Sequence, residues 1–299
     1  MNNSTTRRTF LKQTGVLSVS SMLPLSVLPI EPRYKMGLQL FTIRDAMAKD
    51  PIGSIEYARG LGYEDGEIYG YDGDNDTYYG IKSKEFKKYL DDLDFTISSG
   101  HYDFSSRFNE PMDNLTRFVD QCIEGSHTLK STYITWPWLA PEFRTIENFK
   151  ILSDKLNKIG EQVNKAGLEF AYHNHDFEFT DHNGKQGYDI ILSNTDPMLV
   201  KLQMDMYWVE HSSNKSPSEL IAENPGRYVM WHIKDMDKVT RDYSEMGNGS
   251  IDYKAMLSSI DKKDLQYYYI EQGGNFAESS MQSITDSAMY FKKHLQRYL

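Results

Sequence analysis

Eight short apolar runs, each followed by a longer amphipathic stretch, fill the chain from about residue 35 to residue 299. The runs are Met36–Thr42, Tyr63–Tyr69, Phe95–His101, Ser131–Trp136, Leu168–His175, Leu199–Met204, Val229–Ile233 and Gln266–Ile270. They read as strands, Tyr63–Tyr69 a more polar one than the rest. The stretches Pro51–Leu61, Ser83–Leu93, Glu110–Glu124, Thr145–Ala166, Asp189–Asn194, Pro217–Asn224, Tyr253–Ile260 and Ser279–Tyr298 carry helical spacing, and Gly62 and Gly167 mark two of their ends. A strand that returns to its own sheet through a helix must run parallel to its predecessor, by a right-handed crossover. Eight such units predict an α/β fold, a (β/α)8 TIM barrel, as a single domain over residues 31–299. A doubly wound open sheet is the alternative. It would usually show a Gly-rich phosphate fingerprint after the first strand, and FTIRDAM has none.

Residues 1–30 read differently. Thr6-Arg7-Arg8-Thr9-Phe10-Leu11-Lys12 is a twin-arginine pattern, and the weakly apolar stretch Thr14–Ile30 follows it. That stretch is too short and too rich in Ser and Pro for a membrane span. The expectation is an export signal and a periplasmic protein with no membrane span in its mature form. A net charge of −10 without a basic run argues against nucleic acid and against an anionic membrane surface. The single cysteine, Cys122, excludes an intrachain disulfide. The partner expected is a small molecule, with homo-oligomerisation left open.

The C-terminal ends of barrel strands converge at one mouth, where residues distant in sequence meet. The tips here read Gln39, Glu67, His101, Trp136, His173 with His175, Asp205, His232 with Lys234, and Glu271. Mixed imidazole and carboxylate donors suit Mn²⁺, Zn²⁺, Co²⁺ or Fe²⁺ better than Ca²⁺, with Mg²⁺ the poorer fit, and no cysteine stands at a tip to make a thiolate site. Each tip also has a plainer reading. Asp205 suits a helix cap, and His232, between Trp231 and Ile233, suits a satisfied core histidine. Glu271 ends the apolar run Tyr267–Ile270 and would be costly to bury without a cation. His173 and His175 share a strand face, so His173 is the first choice as ligand, with His175 and Glu178 as rivals. Gln39, Glu67, His101, Trp136, Glu178 and Trp208 are candidates for substrate contact. Loop hydrogen bonding and packing under the rim are the simpler roles for them, and for Trp138.

The motifs MGLQLFTIRD, SGH, YHNHDFEF, DMYW, HIKD and IEQ together resemble the sugar isomerase/epimerase superfamily with its xylose isomerase-like barrel. The superfamily includes inosose dehydratases, hexulose 3-epimerases and DNA repair enzymes of the endonuclease IV type. The resemblance spans residues 35–299 and implies a divalent metal held by four side chains from strands five to eight. Asp205, His232 and Glu271 fall on three of those positions. The fourth is usually a glutamate followed by Asn; here His173 precedes Asn174. In the epimerases that glutamate is one of two acid/base groups, so the histidine leans away from a two-glutamate mechanism, and the dehydratase branch also carries a His-rich strand five.

The implied chemistry is that of a sugar isomerase or epimerase. The metal binds the carbonyl and an adjacent hydroxyl of a keto-sugar or related polyol and stabilises the enediolate left when the α-proton departs. Glu271 and His175 are the candidate bases, and Lys234 sits where it would stabilise the oxyanion. Reprotonation gives an isomer or epimer; loss of a β-substituent gives dehydration or cleavage of a 3-keto-glycoside. Export and the lack of a basic phosphate cradle point to an unphosphorylated sugar. Two other classes compete: a repair endonuclease, which would need a basic groove, and a non-catalytic carbohydrate-binding barrel built on the tryptophans.

Overall fold

The structure, a computed structural model, describes residues 33–299, so the export signal expected over residues 1–30 lies outside the described residues. Eight parallel strands close on themselves: β1 Gly37–Gln39, β2 Asp65–Ile68, β3 Thr96–His101, β4 Tyr133–Trp136, β5 Glu169–His173, β6 Lys201–Asp205, β7 Tyr228–Ile233 and β8 Tyr267–Ile270. Each strand pairs with its sequence neighbours, and β1 pairs with β8 to seal the barrel. Helices Pro51–Gly60, Ser83–Asp92, Met112–Leu129, Ile146–Lys165, Gly187–Asn194, Pro217–Glu223, Tyr253–Ser259 and Ser280–His294 follow the strands in turn. This is the expected single-domain (β/α)8 TIM barrel. None of its helices among the described residues is long and apolar enough to cross a membrane.

Strand parity divides the buried side chains into two sets. Outward residues such as Leu38, Ile68, Ile134, Phe170, Met204, Trp231 and Ile270 join the helices in one large core. Tyr133, Ala171, Val229, Met230 and Tyr269 form a separate small cluster that plugs the lower barrel. Tyr269 needs a gap to do so. A Cβ at Gly37 would lie 2.8 Å from the Tyr269 ring and 2.2 Å from the Tyr268 carbonyl oxygen, so only glycine fits on β1 there. Above this plug the lumen changes from apolar to polar.

Several local expectations were too simple. The first strand ends at Gln39, whose side chain accepts a hydrogen bond from Phe41 N at 3.0 Å and so turns the chain into a 3₁₀ helix over Leu40–Ile43. The segment expected as a loop over Gly70–Tyr79 contributes to a three-stranded antiparallel sheet, Tyr71–Asp72, Thr77–Tyr78 and Ile81–Lys82. A helix over Met206–Ser212, absent from the sequence reading, starts directly after β6 because the Asp205 side chain caps it. The third helix runs on to Leu129, where Lys130 adopts a left-handed conformation and stops it.

Candidate functional site

Glu67 lies at the centre of the polar layer. It is fully buried, and register sets it beside Gln39 on β1 and Ser99 on β3. A register shift between Gly66 and Glu67 marks a bulge, which lets Ser98 and Ser99 both turn toward the lumen, Ser98 to Asp65 and Ser99 to Glu67. One carboxylate gathers donors from around the barrel. Oε2 accepts from Gln39 Nε2 at 2.6 Å, and Oε1 accepts from Ser99 Oγ at 2.6 Å and from Gln203 Nε2 at 2.7 Å. His232 Nε2 stands 2.6 Å and His101 Nε2 3.0 Å from Oε2. Burial alone would push Glu67 up, but the charges of His101 and His232 outweigh it and hold the carboxyl well below its usual range.

The same exchange fixes His232. Burial opposes its charge, yet Glu67 at one ring nitrogen and Glu271 at the other, with Nδ1 2.5 Å from Glu271 Oε2, raise it to about 9. Because Glu67 takes Nε2, the atom that faces the other candidate ligands is Nδ1. Asp205 divides its two oxygens between two tasks. Oδ1 caps the helix by accepting from Trp208 N at 3.2 Å, and Oδ2 faces Lys234. Lys234 Nζ pairs with that Oδ2 at 2.7 Å and with Glu271 Oε2 at 2.9 Å. Burial disfavours the Lys234 charge, but Asp205 and Glu271 more than restore it, and the ammonium is held well above its usual range. Burial raises Asp205, Lys234 and His232 only partly offsetting it. For Glu271 the balance reverses, and Lys234 and His232 hold it far below the usual carboxylate value.

His173 completes the group. It is buried, its Nδ1 has no partner, and its Nε2 lies 3.6 Å from Asp205 Oδ2. Burial first, then the surrounding positive charge, pushes its pKa well below 6.5, so the ring is neutral with a lone pair to give. Ligand atoms of Asp205, His232 and Glu271 all lie within 4.8 Å of one another, as do those of His101, His173 and His232. The chemistry of this set fits a divalent cation: two imidazoles and two carboxylates are buried together, with the neutral His173 Nε2 3.6 Å from Asp205 Oδ2, beyond hydrogen-bond reach. Asn174, a residue the sequence reading left without a role, ties the two ligand-bearing tips together. Its Oδ1 accepts from Asp205 N at 3.1 Å and its Nδ2 donates to Asp205 O at 3.5 Å.

A cavity of about 470 Å³ opens above this group, within the usual range for small-molecule sites. His101, His173, His175, Lys234 and Glu271 line it below, and Phe41, Tyr69, Tyr102, Trp138 and Tyr243 form much of its wall. His175 stacks on Phe177 with ring centroids 5.8 Å apart, and its buried Nδ1 has no partner. Burial and then Lys234 hold it well below 6.5, hence neutral.

Parity places other expected contacts elsewhere. Thr135 faces the lumen, where its hydroxyl meets Ser99 at 3.0 Å, so Trp136 must point outward. Its ring stacks on Phe104 and its Nε1 donates to Trp138 O at 2.7 Å, behind the cavity wall. Trp208 packs at a centroid distance of 6.0 Å from His175 and is not among the lining residues. Gln39 and Glu67 lie beneath the cavity rather than in its wall. Gln203, two residues before Asp205 on one strand face, was readable by the same parity rule and was missed.

Glu178 is also turned away from the ligand group. It accepts from the outward-facing Tyr172 hydroxyl at 2.7 Å and from His175 N at 2.8 Å. Complete burial raises it to about 8. The folded state therefore keeps a proton that an unfolded glutamate releases near 4.5, and stability is lost as pH climbs from about 4.5 to about 8, by about 1.4 kcal/mol per unit in mid-window. Glu178→Gln copies the protonated form. Its stability relative to wild type should rise steadily across that window in urea unfolding of the apo-protein. A constant difference at all pH values would show that Glu178 is not the titrating group.

A family model described as a xylose isomerase-like TIM barrel matches residues 55–286. An inosose dehydratase of Clostridium beijerinckii is 25% identical over an alignment of 140 residues that covers 40% of this chain and 45% of that protein, so the chain matches under half of that relative's length. A sugar phosphate isomerase/epimerase from Parabacteroides distasonis superposes with a TM-score of 0.76 at 25% identity, covering 91% of this chain and 98% of that one. The IOLI protein, solved with a zinc atom, gives 0.69 at 17% identity over 89% of this chain and 99% of that one, a likeness of fold. With most of its length matched by the family model, the chain belongs to the xylose isomerase-like TIM barrel family.

Proposed function

We propose that the protein is a divalent-metal-dependent enzyme of the sugar isomerase/epimerase type, which removes the proton beside the carbonyl of an unphosphorylated keto-sugar. The observation that carries this reading is the buried group Asp205, His232 and Glu271, with His173 beside Asp205, under a cavity of sugar size. His173, Asp205, His232 and Glu271 would hold the metal, with Zn²⁺, Mn²⁺, Co²⁺ or Fe²⁺ suited to the donors. When bound, it supplies Lewis acidity toward the sugar carbonyl and a neighbouring hydroxyl.

The chain's own residues do the rest. His175, neutral and lining the cavity, takes the α-proton. Glu271, its charge held by Lys234 and His232, is the second candidate base. The Lys234 ammonium, fixed at the cavity floor, donates to the oxygen on which charge develops. Return of the proton gives an isomer or epimer.

Supporting the unphosphorylated substrate, Lys234 is the only lysine or arginine that lines the cavity among the described residues, and it is already paired. An exported, periplasmic location, read from Arg7 and Arg8, belongs to the same proposal; Arg7→Lys with Arg8→Lys should retain the protein in the cytoplasmic fraction. The test of function is proton exchange. Metal-loaded protein in deuterium oxide should wash deuterium into the α-position of free keto-sugars, read by proton NMR. Exchange on sugar phosphates alone would overturn the substrate assignment, and exchange on neither would overturn the chemistry.

A further inference from the structure

We infer that the aromatic rim of the cavity is a second subsite, which holds a ring joined through a glycosidic oxygen to the keto-sugar below, so that the substrate is a glycoside. The inference rests on the keto-sugar reading. The chemistry sits at the floor, with His173, Lys234 and Glu271. At the rim stand Phe41 and Trp138, two of the more exposed large rings among the described residues at 40% and 39%, and both line this same cavity. Exposed aromatic faces at the mouth of a polar pocket mark a surface meant to be covered.

These rings are held in place without a ligand. Phe41 meets Tyr69 edge-on at 5.3 Å, and the Arg44 guanidinium lies 4.4 Å over the Phe41 ring while it donates to the Phe41 carbonyl at 3.0 Å. Arg144 lies 5.2 Å over the Trp138 ring and donates to Leu139 O at 2.9 Å, and Trp136 Nε1 pins the Trp138 carbonyl. A platform ordered in advance loses little entropy when a flat ring stacks on it. Charge sets the chemistry of that ring. Asp103 is the exposed ionisable group among the lining residues, and the Arg44 and Arg144 guanidinium groups lie over the two rings and each donate to a backbone carbonyl. A neutral ring fits: a pyranose with its C–H face, or an aromatic aglycone.

The test compares one-ring and two-ring probes on the metal-loaded protein. The probes are 3-keto-D-glucose, the phenyl α- and β-3-keto-D-glucopyranosides, and 3-keto-trehalose, with α-deuterium exchange as the readout. At least one two-ring probe should show kcat/KM about tenfold or more above 3-keto-D-glucose, mainly through KM. Whether phenyl or pyranose is favoured identifies the ring. Phe41→Ala with Trp138→Ala should shrink that preference to within about threefold. Equal rates for all probes, or a preference that survives both alanines, overturns the subsite. Exchange with no probe overturns the keto-sugar reading instead. Calorimetry with the unoxidised phenyl D-glucopyranosides then judges the subsite alone: binding about tenfold tighter than glucose and lost in Trp138→Ala upholds it, and equal binding rejects it.

Discussion

Asp205→Ala combined with His232→Ala is expected to abolish divalent-metal binding and to lower turnover at least about 10³-fold. Loss of a Lewis acid removes several kcal/mol of transition-state stabilisation, and each 1.36 kcal/mol is a factor of ten. The double variant takes away Asp205 Oδ2 and the His232 nitrogen beside Glu271, leaving His173 and Glu271 of the four donors. Asp205 also caps the helix over Met206–Ser212, so part of any damage will be structural, about 1 kcal/mol for the cap. Asp205→Asn separates the two effects, since Asn caps as well as Asp but brings no charge to the metal. Metal content by mass spectrometry, beside urea unfolding, decides the matter. A full equivalent of metal in the double variant, or activity within tenfold of wild type after the metal is lost, would sink the assignment.

The fold was legible because barrel formation demands little beyond eight repeats of one unit, and each repeat announces itself by apolar period and glycine punctuation. The minor elements were not. Two-residue strands such as Thr77–Tyr78 have no periodicity to read, and the helix after Asp205 begins with no intervening loop. At the mouth, residues that end apolar runs stood out, and the structure brings Asp205, His232 and Glu271 together. Side-chain direction was harder. Trp136 follows the lumen-facing Thr135 and so lies in the outer core, and Glu178 is claimed by the outward-facing Tyr172. Glu67 was placed among the substrate contacts. Its strand, DGEI, is polar, and nothing in a linear reading shows that donors from β1, β3, β6 and β7 converge on one carboxylate.

That convergence makes Glu67 the second large prediction. Glu67→Ala leaves His232 Nε2, Gln39 Nε2, Ser99 Oγ and Gln203 Nε2 buried without their acceptor. Removing one member of a buried charge pair costs about 3–5 kcal/mol, which in a domain of this size lowers Tm by about 6–20 °C. Glu67→Gln keeps the volume and one acceptor oxygen but turns an amide N–H toward donors on the other side. It should fold with a smaller loss. The informative quantity is then metal affinity. Glu67 holds the His232 proton on Nε2 and so leaves Nδ1 to face Asp205 and Glu271; a carboxylate behind a ligating histidine is commonly worth 10–100-fold in metal binding. Glu67→Gln should therefore weaken metal binding about 10–100-fold in a competition titration, well beyond what its stability loss would cause in a protein that is still fully folded at the assay temperature. If it binds metal as tightly as wild type, Glu67 only braces the barrel, and the orientation of His232 is set by Glu271 alone.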